Sequence, residues 1–429
     1  MKTKLFIKVL FLSLSFVYIG CSGDSKDDDS GGNSEVTSIL LLVDQTSIEV
    51  GGSFAFTVKD NNNNDITSQS TINVDGVAIS GSVFTPGSEG TYTINASYQN
   101  FNSASLTLTV TNSQILLSSI VLNSDKNQVV RGEAVTLTVT GNEGSNFTSE
   151  ATYSVNGVDI TGNSYVTDTF GTDTIIATYD TFTSNEKEVF VGHTQKVLIE
   201  DYTGAWCGWC PRVAYGIELV ESQTDNAVVV AIHRGTSSGS YYDPFNYPAS
   251  ELEDFINLSG YPTAMLNRII PWTYPEPNNV SQVLNYTSSV STLGLGVTSQ
   301  LNGSNLDISV RTNYASGSVD GHKLVVYVLE DGLIQDQTNY TSYYGGTSVI
   351  SDFRHNNVLR QVPTGLFGED FVSQDYDANL DVYTKNYNFT LTSGISDINQ
   401  LSIAVFVVNE NGLVINSKYA TVGQDVDFD

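Results

Sequence analysis

The sequence predicts a multidomain, mostly β chain: two repeated β-sandwiches, then an α/β stretch, then a C-terminal β-sandwich. Three observations lead there. The chain has 429 residues, more than one hydrophobic core serves, so several domains are expected. Short segments alternating between apolar and polar residues, separated by Asn, Asp and Gly clusters, recur along most of it, the pattern of half-buried strands and their turns. One stretch, 194–290, breaks that pattern with strands and helices alternating around a cysteine pair.

Charge and cysteine count narrow the function. A net charge of −29 excludes an electrostatic nucleic-acid binder, which needs a basic surface to neutralise phosphates, and equally excludes docking on anionic lipid. It suits the solvated surface of an exported protein. The three cysteines stand at 21, 207 and 210. Each has its own explanation below, and none is left for a long-range disulfide.

Residues 1–20 read as a signal peptide. Lys2, Lys4 and Lys8 precede or enter the apolar run 5–19, which is too short to prefer a bilayer-spanning reading. The run ends in Tyr18-Ile19-Gly20-Cys21, which resembles the lipobox of bacterial lipoproteins. The resemblance implies cleavage before Cys21 and lipidation of its sulfur, although Tyr18 stands where those proteins usually carry Leu. Residues 21–36 form a flexible charged tether. There Lys26 followed by Asp27, Asp28 and Asp29 also resembles a surface-export signal of some Gram-negative lipoproteins, a plain solvated linker being the other reading. No later segment is long and apolar enough to span a bilayer, so membrane attachment is expected through lipid alone.

Residues 37–112 and 117–192 are two copies of one pattern. Val50-Gly51-Gly52 and the strand after it match Val130-Arg131-Gly132, Val74-Asp75-Gly76-Val77 matches Val155-Asn156-Gly157-Val158, and Gly90-Thr91 matches Gly171-Thr172. The spacing, roughly 80 residues, fits one small sandwich per copy. Phe54, Phe56 and Val58 alternate as an inward face, with Val135, Leu137 and Val139 as their counterparts. Asp75-Gly76 and Asn156-Gly157 are hairpin turns, since these pairs tolerate positive φ. The segments resemble tandem bacterial immunoglobulin-like modules, which implies a spacer holding a distal domain away from the membrane.

From Lys196 the pattern changes. A strand through Asp201 runs into Trp206-Cys207-Gly208-Trp209-Cys210-Pro211, and Val213, Ile217 and Val220 then space one face of a helix. Residues 227–233 read as a buried strand, 254–258 as a helix, and Gly260-Tyr261-Pro262-Thr263 leads into a strand at 264–268. A helix start favours a thiolate, because unpaired N–H groups and the helix dipole stabilise negative charge by up to ~2 kcal/mol, about 1.5 pKa units. Cys207 is therefore the candidate nucleophile and Cys210, a turn later and expected deeper, the resolving thiol. Zinc would need four ligands, and the four histidines hold no close pair, so no metal or cofactor is expected. Copper at the dithiol with His233 is a minor alternative.

This order, with CxxC at the first strand-to-helix junction, resembles the thioredoxin fold over 194–290. The resemblance implies that Asp201, with Glu200 as the fallback one register away, takes the proton of the buried thiol. It also implies that Tyr261-Pro262 forms a cis-proline loop against the dithiol, with Trp206, Trp209, Tyr261 and Pro262 contacting substrate. Gly208-Trp209 replaces the usual Gly-Pro between the cysteines, which leaves the direction of reaction open. Tyr202-Thr203-Gly204 before the CxxC, Gly260-Tyr261-Pro262-Thr263, Asn267-Arg268 and a later His355-Asn356-Asn357-Val358-Leu359-Arg360 narrow it further. Together they resemble the outer-membrane-protein-28-like family of exported lipoproteins, a thioredoxin-like domain followed by a β domain.

The rest, 291–429, returns to strands, clearest at 306–312, 323–330 and 401–409 after a short helix at 280–286. A sandwich is expected. Phe353, Arg354, His355 and Arg360 are candidates for a cleft beside the dithiol or for interdomain hydrogen bonds, and Tyr340, Tyr343 and Tyr344 for a peptide-binding rim. The reading is an outer-membrane lipoprotein, on the periplasmic or surface face, exchanging disulfides with exported proteins that carry thiols or disulfides. A separate reductant or oxidant would serve it. The alternative is a surface binding or scaffold lipoprotein in which the CxxC is a static bridge.

Overall fold

A computed structural model of the chain describes residues 35–112, 116–167 and 169–428. The stretch expected to be a signal peptide, the lipobox-like run with Cys21 and most of the expected tether lie outside these residues. The chain divides into two units at 115/116.

The described part of the first unit is the first repeat. A sheet of Ile39–Val43, Phe54–Asp60 and Val83–Phe84 faces a second sheet built on Ser47–Glu49, Leu106–Thr111, Gly90–Tyr98, Thr71–Val74 and Val77–Ala78. Phe54, Phe56 and Val58 point inward against Ile72, Ile94 and Leu108, all nearly sealed from solvent, as their period of two requires. The turn falls on Asp75 and Gly76, at φ 50° and 82°. Both angles are the left-handed values that a two-residue hairpin with the strands' own twist demands.

The second repeat has the same two sheets. Ile120–Ser124, Ala134–Gly141 and Ser164–Val166 form one; Gln128–Val130, Lys187–Thr194, Gly171–Tyr179, Thr152–Val155 and Val158–Ile160 form the other. Its last strand does not stop at the sandwich, because His193 and Thr194 pair with Ser291 and Val290. His193 is 1% exposed, and its Nε2 lies 2.8 Å from Asn313 Oδ1. Gly294 leaves room for the ring, since a Cβ there would come within 2.1 Å of it. The second repeat is thereby joined to the rest of the second unit.

The expectation of a separate α/β thioredoxin-like domain at 194–290 is wrong. Among the described residues as a whole strand outweighs helix by 47% to 9%, and the stretch 194–290 does not close on a sheet of its own. Thr263–Leu266, Val197–Thr203 and Ala227–His233 lie side by side, but the sheet continues through Val358–Gln361, Lys323–Glu330, Leu401–Val408 and Val414–Thr421. Leu198, Tyr202, Val228 and Val230 share one core with Val325, Tyr327, Leu359, Phe406 and Val414. No boundary falls at 290/291, because the apolar face of the early strands shares its core with residues from Val325 onward. The reading failed because local order within 194–290 says nothing about which distant strand extends the sheet edge.

On the other face of the early strands, the helix Pro211–Glu221 buries Val213, Ile217 and Val220 against Val197, Ile199, Val229 and Leu266. The expected C-terminal sandwich shares the same large sheet as one of its layers. Its second layer contains Val382–Thr390, Asn305–Tyr314 and Leu293–Asn302, and the two enclose Leu295, Ile308, Val326, Ile403 and Val405.

Candidate functional site around the Cys207–Cys210 disulfide

Successive residues of the Val197–Thr203 strand point to opposite faces, and this separates the two candidate acids. Glu200 faces the core shared with the late strands. It is fully buried and bonded to Arg268, Nη2 to Oε1 2.9 Å, while Arg268 also donates to Tyr327 Oη at 2.8 Å and lies over the Phe406 ring. Glu200 therefore balances a buried charge. Asp201 faces the helix. It is 4% exposed, and its Oδ1 has no hydrogen-bond partner. Burial pushes its pKa up to about 8; the nearby charge of Glu276 adds to this and that of Arg212 opposes it.

Cys207 and Cys210 are joined as a disulfide in the turn before the helix. Cys210 immediately precedes Pro211, the first helical residue, and Pro at that position lacks an N–H the helix could not have used. Cys207 lies before the helix itself. The two residues are 3% and 2% exposed, so the expectation that Cys207 lies nearer solvent does not hold. The turn is held from three sides. Cys207 N–H donates to Gly204 O at 2.9 Å and Cys210 N–H to Cys207 O at 3.2 Å. Ala205 N–H donates to Asp243 Oδ2 at 2.8 Å. Across the third side runs the excursion 331–357, where Gln337 Nε2 donates to Cys207 O at 2.9 Å and Tyr340 N–H donates to Gly208 O at 2.6 Å.

Asp243 and Gln337 were not singled out from the sequence, and no spacing could have found them. Asp243 is buried in a loop and accepts from Ala205 N–H, from His233 Nδ1 at 2.8 Å and from Phe245 N–H. Burial raises its pKa, but these hydrogen bonds together hold it below the usual carboxylate range. His233 thus steadies the loop that carries the cysteines.

A cavity of about 80 Å³ lies between the sheet and the helix, with Asp201, Cys210, His233, Gln337, Phe353 and His355 in its lining. The His233 and His355 rings are 5.0 Å apart, and burial together with His233 pushes His355 down to about 3. Among the described residues, no group of three or more His, Cys, Asp or Glu side chains is placed to hold a metal ion.

The remaining candidates are placed as follows. Tyr261-Pro262 is a cis peptide. Tyr261 is edge-on to Trp206, with centroids 5.6 Å apart, and bonds Glu253. Trp206 donates to Arg234 O at 2.7 Å. Trp209 is 52% exposed, edge-on to Tyr340. Tyr343 stacks on Tyr215 of the helix, and Tyr344 donates to Glu218. Phe353, Arg354 and His355 line the cavity, whereas Arg360 pairs with buried Glu330 at 3.1 Å and is taken up by the fold.

Among the described residues no helix is long and apolar enough to cross a membrane. No curated protein matches this sequence. Among solved structures the chain is similar to HBP35 of Porphyromonas gingivalis, at 14% identity and a TM-score of 0.42 over 55% of this chain and 77% of that one. It is also similar to domains 4 and 5 of the S-layer protein SbsC, at 22% identity and a TM-score of 0.20 over 37% and 99%. The fibronectin(III)-like modules of Clostridium thermocellum CbhA match at 16% and 0.15 over 35% and 93%. Residues 249–426 match the family described as outer membrane protein Omp28, and this match associates the chain with the outer membrane.

Proposed function

We propose that this protein is a lipid-anchored scaffold or binding protein of the outer membrane, in which the Cys207–Cys210 disulfide is a structural bridge. The observation that carries the reading is the burial of both sulfur-bearing residues, 3% and 2% exposed, beneath the excursion 331–357. A disulfide that exchanges with partner proteins needs one sulfur within reach of an attacking thiolate, and here both are covered. The Omp28 match supports the location, and two sandwiches after a lipidated Cys21 would serve as its stalk. The test is a titration of the purified chain with glutathione, read by mass spectrometry after alkylation. A structural bridge stays closed across the whole glutathione range. Rapid opening by millimolar glutathione, with turnover of a disulfide substrate, would exclude it. Attachment is tested separately: Cys21→Ala should move the chain out of the membrane fraction.

A second reading is favoured by one observation. Asp201 lines the same cavity as Cys210 and keeps its proton to about pH 8, as would suit exchange with thiols of exported proteins, Cys207 attacking and Cys210 resolving. It predicts that Cys210→Ala traps mixed disulfides on Cys207.

A further inference from the structure

The excursion 331–357 leaves the sheet at the end of Lys323–Glu330 and returns to it at Val358–Gln361. Its own pairing is slight. Leu333–Ile334 pairs with Arg354–His355 and Gln337–Thr338 with Val349–Ile350, two residues to a strand. Ladders that short are not stable alone in water, so the segment depends on the surface it docks against.

That surface is the cysteine turn. Four hydrogen bonds from the excursion end on carbonyls of residues 204–208: Thr338 N–H to Ala205 O at 2.9 Å, Tyr340 N–H to Gly208 O at 2.6 Å, and Gln337 Nε2 to both Gly204 O and Cys207 O, at 3.3 and 2.9 Å. Gly208 is needed for the fit, because a Cβ there would come within 2.3 Å of the Tyr340 ring. Two of these carbonyls, those of Cys207 and Gly208, lie inside the loop that the disulfide closes, and the other two lead directly into it. Two further anchors, Tyr343 on Tyr215 and Tyr344 on Glu218, reach the helix that starts directly after Cys210.

We propose that residues 333–350 are a strap latched by the Cys207–Cys210 disulfide, which loosens when that disulfide is reduced. The inference rests on the structural-bridge reading and says what the bridge holds. In the reducing step a dithiol such as dithiothreitol supplies two electrons and two protons. Its two S–H bonds are replaced by its own disulfide, the bond between the two cysteines breaks, and each sulfur carries one proton. The turn then loses its covalent closure, and the carbonyls of Cys207 and Gly208, which receive Gln337 and Tyr340, are no longer held by it. Coupling of this kind is reciprocal: a strap that is tighter over the oxidised turn must also protect that disulfide from reductant.

Hydrogen exchange of the full chain, oxidised and then reduced with dithiothreitol, tests the first half without any substitution. Exchange across 333–350 is expected to accelerate about tenfold or more on reduction, with 39–111 and the Leu401–Val408 strand unchanged. Equal exchange in both states overturns the proposal, and so does acceleration spread over the whole second unit, which would mean general unfolding rather than release of a strap. The second half is read from Tyr340→Ala, in which dithiothreitol should open the disulfide about tenfold faster than in the Tyr376→Ala control; equal rates in the folded variants overturn it. Free thiols in the purified chain before any reductant is added would instead defeat the structural-bridge reading on which this one stands.

Discussion

The two repeats are built alike yet belong to different units. Both carry the same pair of sheets, and even the side-chain devices recur. Asp44 Oδ1 accepts from Ala55 N–H and Asp125 Oδ1 from Thr136 N–H. Thr67 Oγ1 accepts from Val58 N–H and Thr148 Oγ1 from Val139 N–H. Ser103 Oγ accepts from Ala96 N–H and Ser184 Oγ from Ala177 N–H. The difference lies where the second repeat's last strand runs on to pair with Val290–Ser291 and buries His193 against Gly294 and Asn313. Repetition in sequence therefore identifies a sandwich, whereas what its last strand touches decides which unit unfolds with it. Two thermal transitions are expected, one for each unit.

The largest effect should come from ending the chain at residue 290. The first repeat keeps its whole core and should resist protease as before. Residues 194–290 lose Val325, Tyr327, Leu359, Phe406 and Val414 from their core, at roughly 1.5–3 kcal/mol for each large apolar side chain left uncovered. They should be digested, and survival of a 194–290 fragment would restore the separate domain that the sheet topology denies.

Next in size is the buried pair. Arg268→Met leaves Glu200 charged, fully buried and without its partner, at a cost of about 3–5 kcal/mol. Only the second transition should fall. Movement of the first transition as well would mean that the two units unfold together.

How much of this was legible in the sequence follows from how local each feature is. The Asp75-Gly76 and Asn156-Gly157 turns, the alternating faces at 54–58 and 135–139, and the helix after Cys210 rest on neighbouring residues, and they appear where the pattern put them. Asp201 and Glu200 were separable in principle by strand alternation, but which face meets the helix depended on register. The extent of the sheet was not legible, because Ala231 pairs with Val358 across a long stretch of chain. The covering of the cysteines by Gln337 and Tyr340 was hidden for the same reason, since nothing near Cys207 encodes a segment 130 residues away.

Asp201 gives an effect that depends on pH. Its folded-state pKa is raised to about 8 from 3.8, so between these values the folded chain holds a proton that the unfolded chain has lost. Stability from this group is full below about pH 4 and declines as pH rises, by at most about 1.4 kcal/mol per unit, levelling off above 8. Asp201→Asn removes the decline. Urea unfolding of the second unit should show the variant little changed at pH 4 and more stable than the parent at pH 9. His355, held near 3, contributes the opposite slope, present above about pH 6.5 and lost as pH falls toward 3; it is common to both proteins and cancels in the difference. Parallel curves for parent and variant would show that Asp201 is charged in the fold.

The smallest change cuts most directly between the two repeats. Asp44→Ala and Asp125→Ala each remove one acceptor from the same place in the same sandwich, and each should cost about 1 kcal/mol. The shift in melting temperature is not the same, because it scales inversely with the entropy of the unit that melts. For a unit the size of the first repeat it should be about 4–8 °C, and for the much larger second unit less than about 2–4 °C. Calorimetry of the two variants side by side reads this. Equal shifts would mean that the second repeat melts alone in spite of the His193 junction, and the shared strand at 187–194 would then be a contact between neighbours rather than part of one cooperative fold.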